Sequence, residues 1–409
     1  MPESDLLLVL PIPFSMYEGR VLLEAQSFNG LERWADNFES IVLALAAVPY
    51  DPVEGKTRSP RRDLATAACI DRVEIVPLPH PRSLWDFLKA YRSTRRLLGE
   101  WIGRCRYLHF AVGGVLWDWA AVAAAEAFRQ GRPYSMFADC VHHEALLHAT
   151  ANLPWLRRAR QRVMVSVLKR QRERIIQRCT LGLWHGHDCY SAYQGLCPNS
   201  HLVHDVHTKP SDSMPEPECA EKARRALAEP VLRICYAGRL IPIKAPLDWV
   251  RAIARARELG ARVDATWIGD GPCRDEAAAL AEQLGVADCI HLPGFTSDRS
   301  ALLAALRSAH VLAFTHIARE SPRCLVEALV SGTPIAGYES DYAKELVGEL
   351  GGGELVPVHD WRALGERLAE LDRDRARLAA LIERAGANGR RFNDEAVFRE
   401  RSQLMKRYL

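Results

Sequence analysis

No stretch of the chain holds the roughly 18 consecutive apolar residues that a membrane helix needs. The apolar run Leu6 to Leu10 is too short to span a bilayer or to act as an export signal. The residues before it, Met1-Pro2-Glu3-Ser4-Asp5, are acidic where an export signal would be basic, so a cytoplasmic location is expected. The eleven cysteines include no Cys-x-x-Cys pair, which argues against zinc ribbons and disulfide frameworks and for reduced thiols. Neither sign of charge dominates, since 54 Lys and Arg against 51 Asp and Glu leave +3. With 48% hydrophobic residues there is enough apolar surface for packed cores, and disordered or low-complexity classes are excluded.

What is present is length and alternation. A chain of 409 residues exceeds what one core usually serves, so two domains are expected. Short Leu-rich or β-branched runs alternate with helical patterns throughout, the mark of βαβ units around parallel sheets. In the first half the runs predict strands at Asp5–Leu10, Ser40–Ala46, Val73–Pro77, Arg106–Ala111, Pro133–Phe137 and Thr180–Trp184. Helices are expected near Leu22–Phe38, at Leu84–Ile102 and Trp117–Arg129, and as one long region over Glu144–Gln177. Lys209 to Glu218, with three prolines and no periodicity, reads as a linker. A second alternation follows, with strands at Leu232–Ala237, Ala265–Ile268, Ile290–Leu292, Val311–Phe314, Ile335–Tyr338 and Glu354–Val356. Its helices are expected at Pro246–Leu259, Cys273–Leu284, Arg299–Arg307, Pro322–Val330 and Trp361–Ala387. The fold class is therefore α/β: two doubly wound, Rossmann-like domains facing across a cleft, over residues 1–212 and 213–389, with a tail of about 390–409 that packs back on the first.

Three stretches carry chemistry. In Arg319-Glu320-Ser321-Pro322-Arg323-Cys324-Leu325-Val326-Glu327, Ser321 suits an N-cap and Pro322 the first helical position. The amides that follow would lack intrahelical partners and form an anion site. Glu327, set among apolar neighbours, needs a hydrogen-bonding partner, which ribose hydroxyls would supply, unless the side chain snorkels to solvent or pairs with a nearby Arg. In Tyr236-Ala237-Gly238-Arg239-Leu240-Ile241-Pro242-Ile243-Lys244, a buried strand ends in Gly and two cations follow five residues apart, suited to clamping a diphosphate. Ile268-Gly269-Asp270-Gly271-Pro272 is a glycine turn after a strand, short of the full dinucleotide fingerprint.

Taken in order, these elements and the loop Leu292-Pro293-Gly294-Phe295 resemble the retaining glycosyltransferases of family 4, of GT-B architecture, over residues 232–390 and more loosely before them. The resemblance implies transfer of a sugar from a uridine or guanosine diphosphate sugar to an acceptor hydroxyl, with retention, no metal and no cofactor beyond that co-substrate. It implies that Arg239, Lys244 and Glu320 are catalytic, with Gly238, Gly269 and Gly271 at the donor. Gly294 and Phe295 would flank the base, the Ser321, Pro322, Arg323, Cys324 and Leu325 segment would meet the phosphates, and Glu327 the ribose. The family places seven residues between its two glutamates; six separate Glu320 from Glu327, and the usual spacing lands on Arg319. A GT-B epimerase or phosphorylase, or a noncatalytic sugar-nucleotide-binding subunit, would use the same donor residues.

The acceptor side is less marked. The resemblance implies a glycine pair in the first loop, where only Gly19 is present, and a His where Ala111 stands; His142 is the candidate to orient an acceptor hydroxyl, be it on a glycan, a lipid-linked or a small molecule. Trp155 to Arg178 holds nine Lys or Arg against the single acid Glu173, interleaved with Trp155, Leu156, Val163 and Val167. That pattern suits peripheral contact with the inner face of a membrane, or a solvated helix, and no nucleic-acid module accompanies it. No helix places the histidines between His185 and His207 together, and Asp372-Arg373-Asp374, though spaced like a metal-binding acidic pair, lies among Glu370, Arg375 and Arg377 on what reads as an exposed, charge-patterned helix, so no metal is expected.

Overall fold

The structure is a computed structural model that describes residues 3–50, 60–113, 118–150 and 154–409. It divides into two units, Met1–His207 with Glu395–Leu409, and Thr208–Asp394. The division falls five residues before the end of the expected first domain. Lys209–Glu218 is ordered as part of the second unit: Met214 N–H donates to Val330 O at 2.8 Å, and Pro210–Asp212 form a 3-10 turn.

The first unit is a nine-stranded sheet. Its strands are β1 (Ser4–Tyr17), β2 (Arg20–Glu24), β3 (Ile41–Pro49), β4 (Arg61–Asp63), β5 (Val73–Leu78), β6 (Cys105–Ala111), β7 (Ser135–Ala138), β8 (Leu181–His185) and β9 (Ser200–Val203). The long β1 pairs in parallel with β3 and β6, and these continue through β5 on one side and β7, β8 and β9 on the other. Leu6 to Val9, Ile41 to Leu45 and Leu181 to Trp184 are buried along their whole runs, as parallel strands covered on both faces must be.

Two expectations fail here. Where a helix from Leu22 was expected, β1 turns back into antiparallel β2, and the helix is Ala25–Ala35. Glu18 and Gly19 both take positive φ, 49° and 76°, the requirement of a two-residue type I′ hairpin. The long region from Glu144 is instead two helices, His142–Ala149 and Trp155–Gln177. Of the helix expected from Trp117, residues 114–117 lie outside the described residues and Trp119–Arg129 is helical.

The second unit has six parallel strands: β10 (Leu232–Ala237), β11 (Val263–Ile268), β12 (Ile290–Gly294), β13 (Val311–Phe314), β14 (Ile335–Tyr338) and β15 (Gly353–Val356). Their spatial order is β12-β11-β10-β13-β14-β15. Chain direction across the sheet therefore reverses between β10 and β13, and ligands of such sheets bind outside the carboxyl ends of the strands at that switch point. The central strands β10, β13 and β14 are almost fully buried, whereas edge strands β12 and β15 are partly exposed. The helix expected over Trp361–Ala387 is broken in two at Asp374, whose carboxylate caps the second segment by accepting from Arg377 N–H at 2.9 Å.

Candidate active site

At the switch point the chain leaves β10 through Gly238 and Arg239, forms a 3-10 turn at Pro242–Lys244, and enters the helix Pro246–Glu258 through Ala245 in the left-handed region. Beside it the chain leaves β13 through Thr315, His316 and Ile317. Thr315 Oγ1 donates to Lys244 O at 2.8 Å, and Ile317 N–H donates to Ile243 O at 3.0 Å, so the two exits are tied together. That tie brings Lys244 Nζ to 2.5 Å from Glu320 Oε1, with the side chains only 12% and 17% exposed. Arg319 does not take this place; it faces Asp341 at 3.6 Å. Six intervening residues thus suffice to set a carboxylate beside Lys244. Arg239 is exposed, and no ion pair holds it among the described residues.

Two further residues belong to this cluster and were not singled out from sequence. His316 is buried between the Tyr236 hydroxyl, 2.5 Å from its Nε2, and Glu320 Oε1, 3.5 Å from its Nδ1. Burial, with Lys244 adding to it, holds the His316 pKa well below the ordinary value, and burial drives the Tyr236 phenol well above. The ring is therefore neutral and the phenol protonated. The tautomer in which Tyr236 donates to Nε2 places the ring proton on Nδ1, facing Glu320. Tyr236 and His316 lie 80 residues apart and each sits in an apolar strand context; a His directly after a buried strand was the available signal.

The helix from Ser321 onward starts later than expected. It runs Arg323–Val330 with Pro322 as N-cap and no side-chain cap, so Ser321, which is buried, precedes the cap. Pro322 has no N–H to spend, and its carbonyl accepts from Leu325 N–H at 3.2 Å. The Leu325 amide is thereby engaged. Burial pushes the Cys324 thiol up to about 12, which makes it an inert neighbour. At the other end of the helix Lys222, fully buried and brought down to about 7 by that burial, donates to Ser331 O at 3.3 Å and Thr333 Oγ1 at 2.5 Å. A donor there satisfies carbonyls that the helix C-terminus leaves open.

Glu327 does not face bulk water. Its Oε1 accepts from Arg299 Nη1 at 3.0 Å, and Arg299 also reaches Asp212 at 3.2 Å. Pairing with a nearby arginine is one of the readings that the sequence leaves open for Glu327.

The glycines of the motifs are explained by backbone approach. A Cβ on Gly269 would lie 1.9 Å from Gly238 O, and one on Gly271 would lie 2.4 Å from Leu240 O. The loop after β11 is thus pressed on the loop after β10, with Leu240 N–H donating to Asp270 O at 3.0 Å. Their first role is loop-on-loop packing, where sequence had suggested access for a ligand. Trp267 Nε1 donates to Gly238 O at 2.8 Å from beneath. Arg274 pairs with Asp270 at 3.8 Å and donates to Leu292 O, joining this turn to the loop of Gly294 and the half-exposed Phe295.

In the first unit, Gly19 sits at the hairpin tip, where its positive φ serves the turn. His142 opens the helix His142–Ala149; its Nδ1 has no hydrogen-bond partner among the described residues, and burial, aided by Arg172, lowers its pKa. His185 Nδ1 accepts from Asp205 N–H at 3.0 Å, and Asp372 pairs with Arg375, so both are engaged structurally.

Residues 220–390 match the family model described as glycosyl transferases group 1. The chain is 30% identical over 172 residues to 2-deoxystreptamine N-acetyl-D-glucosaminyltransferase of Streptomyces fradiae, covering 40% of each protein. It is 32% identical over 198 residues to D-inositol 3-phosphate glycosyltransferase of Thermobispora bispora, covering 45% of each. These matches span less than half the length of either relative. Among solved structures, HepE of Anabaena in complex with UDP superimposes with a TM-score of 0.66 at 15% identity, over 98% of this chain and 100% of that one. Sucrose-phosphate synthase of Thermosynechococcus elongatus gives 0.65 at 15% identity, over 98% of each. The chain thus has the GT-B fold, and its second unit, from residue 220 to 390, matches the glycosyl transferases group 1.

Proposed function

We propose that this protein is a retaining, family 4 glycosyltransferase that moves a sugar from a uridine or guanosine diphosphate sugar to an acceptor hydroxyl in the synthesis of a polysaccharide or other glycoconjugate. The observation that carries the reading is the pairing of Lys244 with Glu320 at the switch point of the second unit, just before the start of the helix Arg323–Val330. Anion, cation and a helix start converge there on the edge where such sheets bind nucleotides.

In this reading Lys244 and Arg239 meet the donor diphosphate, together with the amides of Arg323 and Cys324. Charge that grows on the departing β-phosphate falls among donors already oriented, which stabilises the transition state more than the ground state. Glu320, held by Lys244 and facing the His316 ring, presents its second oxygen to hydroxyls of the transferred sugar. Glu327 exchanges part of its contact with Arg299 for the ribose hydroxyls. No metal or further cofactor is assigned a part, since two cations and a helix start supply positive charge around the leaving group. On the acceptor side we assign His142, whose Nδ1, without a partner among the described residues, can accept a hydrogen bond from an acceptor hydroxyl. The relatives named above as glycosyltransferases, and the complex of HepE with UDP, support a nucleotide sugar as the donor class.

The test is a transfer assay with labelled uridine and guanosine diphosphate sugars and a panel of hydroxylated acceptors, the product's anomeric configuration being read by NMR. Transfer with retention is expected, with turnover reduced in Lys244→Met and Arg239→Met. Unchanged turnover in both variants would overturn the site. Consumption of donor only with inorganic phosphate, or its epimerisation without acceptor, would replace the transferase reading.

A further inference from the structure

The helix Trp155–Gln177 has two faces, and only one is used by the fold. Val165, Leu168, Arg172, Ile175 and Ile176 are buried. At about 100° per residue these positions fall within one arc of roughly 100°. On the opposite side lie Leu156, Val163 and Val167, exposed to 63%, 67% and 49%, with Trp155, exposed to 74%, on the flank. Every residue from Trp155 to Arg160 is exposed. An outward stripe of this composition is unusual on a helix whose other face already packs, because polar residues are the normal occupants of the solvent side.

The stripe is rimmed by cations. On the same helical count, Arg162 and Lys169 stand along one border and Arg157 and Arg160 along the other, and Arg170 and Arg174 close the apolar patch beyond Val167 on its own line, all exposed. The single acid of the stretch, Glu173, is engaged with Lys169 at 3.8 Å. An apolar centre with a basic margin is complementary to an interface that is apolar below and anionic at its surface, with Trp at the level of the headgroups. No helix among the described residues is long and apolar enough to cross a membrane, so the arrangement suits a helix lying in the interfacial plane.

We propose that this face docks on an anionic lipid bilayer, with Trp155, Leu156, Val163 and Val167 entering the headgroup boundary and the flanking arginines and lysine meeting lipid phosphates. Two other occupants fit less well. A second copy of the helix would set its own cationic margins against each other, and like charges so placed repel. A nucleic acid would gain the cations but would have to cover an apolar centre, whereas phosphate-binding surfaces are polar throughout. The proposal stands on the first unit alone and does not depend on the reaction assigned to the second.

The test uses the full-length protein and vesicle co-flotation, with pure phosphatidylcholine compared against phosphatidylcholine carrying about a third phosphatidylglycerol. Binding at least tenfold stronger to the anionic vesicles is expected, weakening as salt is raised through the Debye-screening range. Two surface variants separate the contributions: Trp155→Ser with Leu156→Ser and Val163→Ser, and Arg157→Glu with Arg160→Glu and Arg162→Glu. Each is expected to reduce vesicle binding at least tenfold while the melting temperature stays within a few degrees of the parent, since none of these side chains packs in the core. Absence of binding to anionic vesicles would overturn the proposal, as would binding that neither variant weakens. Self-association abolished by the serine variant, or retention of RNA in preference to vesicles, would equally replace it.

Discussion

Replacing Lys244 by Met keeps the side chain's length and removes its charge, so Glu320 is left facing His316 without a cation. The two side chains are 12% and 17% exposed, between the surface and interior regimes. Exposed pairs couple by about 0.2–1 kcal/mol, and removing one partner of a fully buried pair costs about 3–5 kcal/mol. An intermediate loss of about 1–3 kcal/mol in unfolding free energy is expected for Lys244→Met, and a similar one for Glu320→Gln, which strands the ammonium instead. The double variant strands neither group. Its loss is expected to fall short of the sum of the single losses by at least about 1 kcal/mol, the coupling of residues in contact. Urea unfolding of the four proteins measures this directly. Single losses that add to within about 0.3–0.5 kcal/mol, the range for independent sites, would refute a pre-formed pair at the switch point and with it the geometry on which the donor site is built. If the pair also meets the leaving group, Lys244→Met lowers turnover by about 10²–10³, far more than the stability change alone would produce at a temperature where the variant is folded.

Further outcomes follow from the same structure. Gly269→Ala puts a Cβ 1.9 Å from a backbone carbonyl that has no flexible end to yield, so a stability loss of about 1–3 kcal/mol and weakened nucleotide binding are expected; a silent substitution would show that the two loops are not in contact. Glu327→Gln is expected to cost at most about 1 kcal/mol in urea unfolding, because Arg299 is 37% exposed and retains Asp212, yet to weaken nucleoside diphosphate binding at least tenfold. Equal affinity in parent and variant would leave Glu327 only its arginine. Burial holds His109 and His316 well below the ordinary histidine pKa, and His310 at about 4, so each stays neutral in the folded chain while the unfolded chain binds protons. Stability is therefore full above about pH 7 and lost as pH falls below about 6.5, by up to about 1.4 kcal/mol per pH unit for each histidine. A flat urea midpoint between pH 7 and pH 5 would contradict that burial.

The second sheet was legible because its central strands β10, β13 and β14 are almost fully buried and so appear as nearly unbroken apolar runs. Leu232–Ala237, Val311–Phe314 and Ile335–Tyr338 coincide with the expected strands, and the edge strands differ by one or two residues. The first unit was less so. Glu18-Gly19 is not one of the strong hairpin signals, since a Glu at positive φ is uncommon, and the short strands β4 and β9 carry no run long enough to see. The break after Ala149 is marked in sequence by Pro154, the N-cap of the next helix, whereas the break at Asp374 falls among good helix formers, where local propensity is a weak guide. In the site, motif order picked out Lys244, Glu320 and Glu327, but their partners come from long-range pairing. Arg299 lies 28 residues from Glu327 and Asp212 lies 87 from Arg299, distances at which one-dimensional spacing says nothing about contact. The motif glycines were visible, but their crowding by a neighbouring loop is a property of the sheet and not of the turn.

The most direct measurement of the central claim is calorimetric titration of uridine and guanosine diphosphate into the parent protein, Lys244→Met and Arg239→Met. One of the two nucleotides is expected to bind the parent at a single site and to lose at least tenfold in affinity in each variant. Failure of both nucleotides to bind the parent, or undiminished affinity in both variants, would contradict a diphosphate site at the β10–β13 switch point.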